Sequence, residues 1–566
     1  MLVALSLAGC VEPGNGELNS DNSSSDGTPS AEVSQNNLNV VSVEPEPLAT
    51  GISRESAIQV KVDESLFIPS INQDTFQLRN LQSTVDGEFA FEDSSLTFTP
   101  AEPLNIRATY TTTLADDIHS SGGGYLTEPY EWSFETQDGS WTDITPVALW
   151  DYQNLVSASS SGGQQWVFAT FEVPSTEEIE LLAWSQQEDG NWAGPTLVSG
   201  DDDFDVLGKA TYTQLPGGNM LVSWAEQSIG AEPNRIRYSL YNSQIGLWSL
   251  PESIPASGLS NPSFATPYDT YDPVLTYIVE DDGAQGIGVS HFDRAMNTWH
   301  MTDIIDQQNE NAGSPVIAKN SQGDTQVIWI QQGMLYGSQL LAGEVDWSQP
   351  APISDASGDA FGNGLTLTSM PDHGFLAGWS QKPSVPEPFH IWTNRSNPDG
   401  TWQPADHLIS TENGHYPIIK SGPQSGAQLI WLEYNLIEGI TNLKANRLYV
   451  GTTTWTPATT LDSYLTEVKD HHMVADPNGN IWVFWTQIRP GTVETSEGIE
   501  YTDPIVIWGR RASTNSSNWE KAIPLSNYGG VIHRPSHSSV SETGEVSLAW
   551  VVDLLVNQQL ESRIFE

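Results

Sequence analysis

The chain has 566 residues, with 72 acidic against 21 basic side chains, a formal net charge of −51 at neutral pH and one cysteine. That length exceeds one ordinary hydrophobic core and implies several domains. The charge removes nucleic acid and anionic lipid headgroups from the expected partners, because both need a basic footprint, and leaves cations, neutral glycans and proteins.

The chain opens on an apolar run that ends at Leu7-Ala8-Gly9-Cys10. This stretch resembles the lipobox of bacterial lipoproteins, in which the signal is cut before the cysteine and the thiol takes up a diacylglycerol. The resemblance implies that residues 1–10 are a shortened signal and that Cys10 is the lipidated residue. No Lys or Arg precedes the apolar run, unlike a full signal peptide. Val11, where an inner-membrane lipoprotein would carry Asp, is similar to the outer-membrane pattern and implies an outer-membrane lipoprotein of the cell envelope. No other run approaches the roughly 18 apolar residues of a membrane span, so the lipid would be the sole membrane attachment. Residues 11–42 are rich in Ser, Asn, Asp and Gly and poor in apolar residues through Asn37, a composition that builds no core and is expected to serve as a flexible tether.

From 43 to 137 the text turns strand-like. "AIQVKV" (57–62), "TFQLRN" (75–80), "EFAFED" (88–93), "SLTFTP" (95–100), "ATYTTTLAD" (108–116) and "YEWSFET" (130–136) alternate apolar and polar residues. Period-two alternation punctuated by turn residues predicts an antiparallel sandwich. The ordered series TFTP, TYTTTL, a Gly-rich turn at Gly122–Gly124 and WSFET is similar to the bacterial Ig-like domain of S-layer proteins (the SbsA-like type), which implies a spacer or adhesive module.

A different rhythm fills 138–566. Trp141, Trp192, Trp248, Trp299, Trp347, Trp402, Trp455 and Trp519 recur at intervals of 48 to 64 residues. A second series, Trp224, Tyr277, Trp329, Trp379, Trp431, Trp485 and Trp550, precedes them within each unit. Such a period with four short strands per unit predicts a β-propeller, each fourth-strand Trp wedged between neighbouring blades. The first unit fits least well, with Ala169 at the expected Trp position and Trp166 three places early. The final unit ends after three strands, whereas "DGSWTDITPV" (138–147) is a fourth strand with no unit before it. The expectation is therefore an all-β chain: an Ig-like sandwich followed by an eight-bladed propeller whose last blade is closed by an N-terminal strand, with seven blades as the alternative count. Pairing the two ends in one blade removes two open edges at once.

Turns such as "SNPDGTW" (396–402) resemble degenerate Asp boxes of sialidase-type propellers, which are structural devices. A sialidase would add an arginine triad and a Tyr/Glu nucleophile pair, and no three arginines of this region are set apart as such a clamp. Asp201, Asp203 and Asp205 stand at positions 1, 3 and 5 of a calcium-type loop, but Val206 and Tyr212 occupy the places of Gly and Glu; a solvated acidic loop is the other reading. Calcium is the one cofactor this pattern brings into view. His415, His471, His472 and His533 fall near the first strand of three consecutive repeats, where they would gather at the channel mouth to hold a ligand or metal, or else bond loop carbonyls separately. The leading expectation is a monomeric, non-enzymatic, lipid-anchored envelope protein that binds a glycan or an envelope protein. The alternative is a carbohydrate-active enzyme, a glycoside hydrolase or lyase, working at the channel mouth.

Overall fold

The computed structural model describes residues 37–566, apart from positions 82, 231, 282 and 499 and the stretches 201–203, 256–257, 266–271, 307–309, 355–357, 384–385, 405–406, 423–425, 463–465, 495–497, 515–517, 528–530, 533–535 and 555–557. Cys10, Asp201, Asp203 and His533 lie outside the described residues. The described residues are all-β, with two short 3-10 turns, Ile68–Ser70 and Pro216–Gly218, as the helical elements. No helix among them is long and apolar enough to cross a membrane.

The N-terminal domain is a two-sheet sandwich. Val40–Glu44, Ile58–Val62, Ser95–Pro100 and Gly87–Glu92 pair in that order in one sheet, and Phe76–Arg79, Thr109–Leu114 and Tyr130–Glu135 in the other. The alternation read from sequence sends one set of side chains inward: Ile58, Val60 and Val62 are buried while Gln59 and Lys61 face solvent. Phe76, Phe98, Tyr110, Trp132 and Phe134 fill the space between the sheets. The first strand starts ahead of the expected boundary at 43, and Asn37 already bridges to Tyr125.

Eight antiparallel sheets of four or five strands then follow one another, in a propeller-like arrangement, among the described residues. Their first strands are Gln153–Ser159, Phe204–Gln214, Gly258–Phe264, Ala312–Lys319, Asp359–Ser369, Gly414–Gly422, Val468–Ala475 and His537–Val540. Each of these inner strands lies against the next, and the last lies against the first. The Ser157 backbone N–H donates to His537 Nδ1 at 2.9 Å across that junction.

The eighth sheet joins the two ends of the ring. Thr145–Leu149 pairs antiparallel with Gln558–Phe565. Upstream of it Trp141 bridges Phe565, and the backbone N–H groups of Ser140 and Thr142 donate to the carbonyls of Glu566 and Ile564. Trp141 packs edge-on against Trp482 and Phe484 of the seventh sheet at 5.4 and 6.0 Å. Trp248 meets Trp166 and Phe168 of the first sheet in the same way, and Trp299 meets Tyr238 of the second. The fourth-strand tryptophans thus fill the seams between sheets, and the early Trp166 is the partner of one of them.

The second-strand series is fully buried, and its indoles are satisfied by a device within the strand. Trp224, Trp329, Trp379, Trp431 and Trp485 each donate Nε1–H to the side chain two residues on: Glu226, Gln331, Gln381, Glu433 and Gln487, at 2.6 to 3.3 Å. Residues two apart share a face, so the acceptor lies beside the ring it serves. Trp550 has Val552 at that place and uses Glu561 of the neighbouring strand instead, at 2.9 Å.

The Ig-like domain is docked on this ring. Ile106 is buried in the cluster that holds Trp482, Phe484 and Phe565. Its N–H donates to Thr543 O, and its carbonyl accepts from Asn478 Nδ2 at 3.0 Å. Arg54 pairs with Glu545 at 2.9 Å, and Arg107 reaches both Asp138 and Glu520. These contacts converge on the seventh and eighth sheets, where the ring closes.

Candidate ligand-binding cleft

A cleft of about 270 Å³ opens between the sixth and seventh sheets, lined by His415, Tyr416, Tyr434, Thr441, Glu467 and Lys469 among others. Each side chain has a local reason for its place. Tyr416 follows the start of the strand Gly414–Gly422, where the register slips between His415 and Ile418. Its φ of 52° lies in the left-handed region that non-glycine residues avoid, which turns the backbone out of the ladder. The Tyr416 carbonyl accepts a hydrogen bond from His471 Nε2 at 2.8 Å, so His471 holds the turned backbone from the next sheet. Burial pushes the His471 imidazole down to about 4, so it stays neutral with its proton on Nε2. Tyr416 and Tyr434 are 42% and 38% exposed, enough to present ring faces to solvent. His415 stands behind them, its Nε2 3.1 Å from Asn413 Oδ1 and its ring 4.9 Å from that of Phe389.

The cleft therefore offers two exposed aromatic rings, a threonine hydroxyl, one carboxylate and one ammonium. Aromatic faces stack on the C–H faces of sugar rings while the polar groups meet hydroxyls, which suits a neutral polar ligand. Glycoside hydrolysis needs two carboxylates flanking one bond, and Glu467 is the single carboxylate among the described lining residues.

Of the four histidines singled out by sequence, the three that are described separate. His415 lines the cleft, and His471 supports it from behind. His472 faces the eighth sheet, where Nδ1 and Nε2 lie 2.7 Å from the hydroxyls of Ser538 and Ser536. Its neighbour is His537, in near-parallel stacking at 6.5 Å, a residue sequence reasoning passed over because the eighth sheet's inner strand begins two residues beyond "HRP". Tyr416, Tyr434, Glu467 and Lys469 were also missed; an exposed aromatic beside a histidine in "GHYP" was the one available signal. Asp205 is the second residue of the strand Phe204–Gln214 and accepts the Ile179 N–H at 2.9 Å, a structural role at the joint between the first two sheets. Among the described residues no group of three His, Cys, Asp or Glu side chains is arranged to hold a metal.

Residues 34–136 match the family model described as the bacterial Ig-like domain, so the match begins ahead of the boundary expected from sequence. Several solved structures are similar to the chain at low identity. A lectin from Burkholderia pseudomallei is 14% identical, with 67% of this chain and 100% of that chain covered and a TM-score of 0.43. A mutant of the NanB sialidase from Streptococcus pneumoniae is 11% identical, covering 76% and 80%, with a TM-score of 0.36. An α-L-arabinofuranosidase from Fusarium graminearum is 10% identical, covering 64% and 95%, with a TM-score of 0.35. Among curated proteins there is no match.

Proposed function

We propose that this protein is a non-enzymatic, lipid-anchored binding protein of the cell envelope, and that its ligand is a neutral glycan, free or carried on an envelope protein. In this reading the eight sheets are the blades of one propeller, and Cys10 carries the lipid that holds the chain at the outer membrane. The docked Ig-like domain sets the ring away from the lipid surface at the end of the polar tether. The observation that carries the reading is the cleft between the sixth and seventh sheets, where Tyr416 and Tyr434 stand exposed beside Glu467 and Lys469. The strongly negative charge also supports a neutral ligand over an acidic polymer.

The test is a glycan array probed with the soluble form lacking residues 1–36, run beside Tyr416→Ala. Binding that disappears in the variant supports the reading. An empty array, or binding indifferent to Tyr416, overturns it.

A further inference from the structure

The Ig-like domain has two poles, and the contacts with the ring described above gather at one of them. Ile58–Val62 runs away from Arg54, and Thr109–Leu114 runs away from Ile106 and Arg107. Tyr130–Glu135 runs back toward Asp138. The segments that follow the first two strands and precede the third therefore lie at the far pole. Phe67 stands five residues beyond Val62, His119 five beyond Leu114, and Tyr125 five before Tyr130.

These three rings form one stack. His119 lies between Phe67 and Tyr125, with ring centroids 4.8 Å apart on each side and interplanar angles of 25° and 26°. The backbone fixes the arrangement: the Phe67 N–H donates to the His119 carbonyl at 3.0 Å, and His119 and Tyr125 form an antiparallel bridge. The outer rings are nevertheless open to solvent, 41% for Phe67 and 53% for Tyr125, and Ile68 beside them is 52% exposed. The domain's other large aromatics, among them Phe76, Phe98, Tyr110, Trp132 and Phe134, are buried between the sheets. Rings held in a fixed stack outside the core belong to a contact surface.

The chain enters the domain at this same pole. The Leu38 N–H donates to the Tyr125 carbonyl at 2.9 Å, and Asn37 bridges Tyr125. Residues 11–36 separate that point from Cys10, a reach of about 90 Å at full extension. On the lipid-anchor reading, on which this inference rests, the ringed pole is the first folded part of the chain after the lipid. Charge selects the kind of lipid. Asp63, Asp93, Asp116 and Asp117 are exposed at this pole, where they repel anionic headgroups and suit the ammonium of zwitterionic ones. We propose that the far pole of the Ig-like domain is a membrane-interface contact, in which Phe67, Ile68 and Tyr125 seat among the headgroups of a zwitterionic bilayer. Tyrosine suits that layer because one end of its ring is apolar and the other wet. Weak intrinsic affinity suffices, since the anchor keeps the local lipid concentration high. The domain then stands on the bilayer by one pole and carries the ring on the other.

The experiment uses the soluble form lacking residues 1–36, which has no lipid, in co-sedimentation with phosphatidylcholine vesicles at up to about 10 mM lipid. Saturable binding is expected. It should weaken about tenfold in the double variant Phe67→Ser, Ile68→Ser and persist in Phe67→Trp. Phosphatidylglycerol added to the vesicles should weaken it as well. Ile68→Ser alone lies outside the ring stack, so it should weaken binding at an unchanged melting temperature even where loss of Phe67 unsettles the loop. Absent vesicle binding, binding indifferent to these substitutions, or a preference for phosphatidylglycerol overturns the proposal. Capture by isolated cell-wall glycan in place of vesicles also overturns it and makes the rings a sugar platform. Because this form lacks Cys10, such a failure leaves the lipid-anchor reading standing, and palmitate labelling of the full chain tests that reading separately.

Discussion

Arg511 and Asp138 clasp each other through two parallel hydrogen bonds, Nη1 to Oδ1 at 2.8 Å and Nη2 to Oδ2 at 2.6 Å, across 373 residues of chain. Arg511 belongs to the seventh sheet, and Asp138 is the residue at which the chain leaves the Ig-like domain for the closing strand. The same guanidinium reaches Glu520 and lies over the rings of Trp482 and Phe565. Burial pushes the Asp138 carboxyl up, but the bonds and charge of Arg511 outweigh it and hold the group below the usual carboxylate value. The contribution of the pair is therefore complete above that value and fades only in stronger acid. Arg511→Met should lower stability by about 2 kcal/mol, a figure reduced because Asp138 is 40% exposed. Urea denaturation of the variant checks it, and an unchanged midpoint would sink the argument.

Closure of the ring makes a second prediction. A chain beginning at Asp138 should still unfold cooperatively, but at a lower temperature than the parent, because Ile106 and the Arg54 and Arg107 pairs are lost from the closing region. A chain beginning after Leu149 lacks the closing strand and exposes the ladder groups of Gln558–Phe565. It should melt far lower and self-associate on size-exclusion chromatography. Trp141→Ala alone should cost about 3 kcal/mol, at the low end for an aromatic core truncation because the ring is only partly buried. Equal melting of the two truncated chains would show that the strand is a mere linker.

Acid should act through the interior histidines. Burial pushes His471 down to about 4, His537 to about 3 and His472 well below its ordinary value, whereas in the unfolded chain each takes a proton near 6.5. Between those values the unfolded chain binds more protons, so stability falls as pH drops below about 6.5. Burial also pushes Asp470 and Asp476 up to about 6, and there the sign reverses: below that value the folded chain holds the extra protons and part of the loss is offset. His537→Gln removes one imidazole from the sum. Its stability curve should be shallower than the parent's by about 1.4 kcal/mol per pH unit between about pH 6 and 4. Parallel curves in urea titrations across that range would refute the assignment.

At the cleft, Tyr434→Ala should weaken glycan binding at least tenfold with little change in melting temperature, since the ring is 38% exposed. His471→Ala should weaken binding indirectly, by releasing the Tyr416 carbonyl, and should lower the melting temperature as well. Calorimetry beside thermal denaturation separates the two effects. Equal responses of both variants would show that Tyr434 is structural.

The proposed membrane attachment rests on the thiol of Cys10. In cells expressing the chain with a complete signal, Cys10→Ser should move the protein from the membrane to the soluble fraction and abolish labelling by radioactive palmitate. Retention of either would end the lipoprotein reading.

Much of the fold was legible because it repeats. The spacing of Trp192 to Trp519 marked the units, and the unpartnered "DGSW" pointed to the pairing now seen between Thr145–Leu149 and Gln558–Phe565. The acceptors Glu226, Gln331, Gln381, Glu433 and Gln487 were equally visible, two places after each buried Trp, but their meaning emerges only when the indole is known to be sealed from water. Docking of Ile106 was not legible, because an isoleucine between strands reads as part of its own sandwich. The binding features were the hardest to see. Tyr416, His471 and Tyr434 come from two sheets, and no spacing along the chain records a meeting set by the angle between them.

The route by which the chain enters the ring has a mechanical meaning. A pull applied at the N-terminal side would, with a loose spacer, run straight into Asp138 and peel the closing strand from Gln558–Phe565 one bond at a time. Here Arg54 on Glu545, Arg107 on Glu520 and Ile106 between Asn478 and Thr543 carry that load around the closing strand into the two sheets flanking it. The junction is then loaded in parallel, like a strap riveted on both sides of a buckle. Force that enters through the Ig-like domain thus bypasses the seam at which the ring closes.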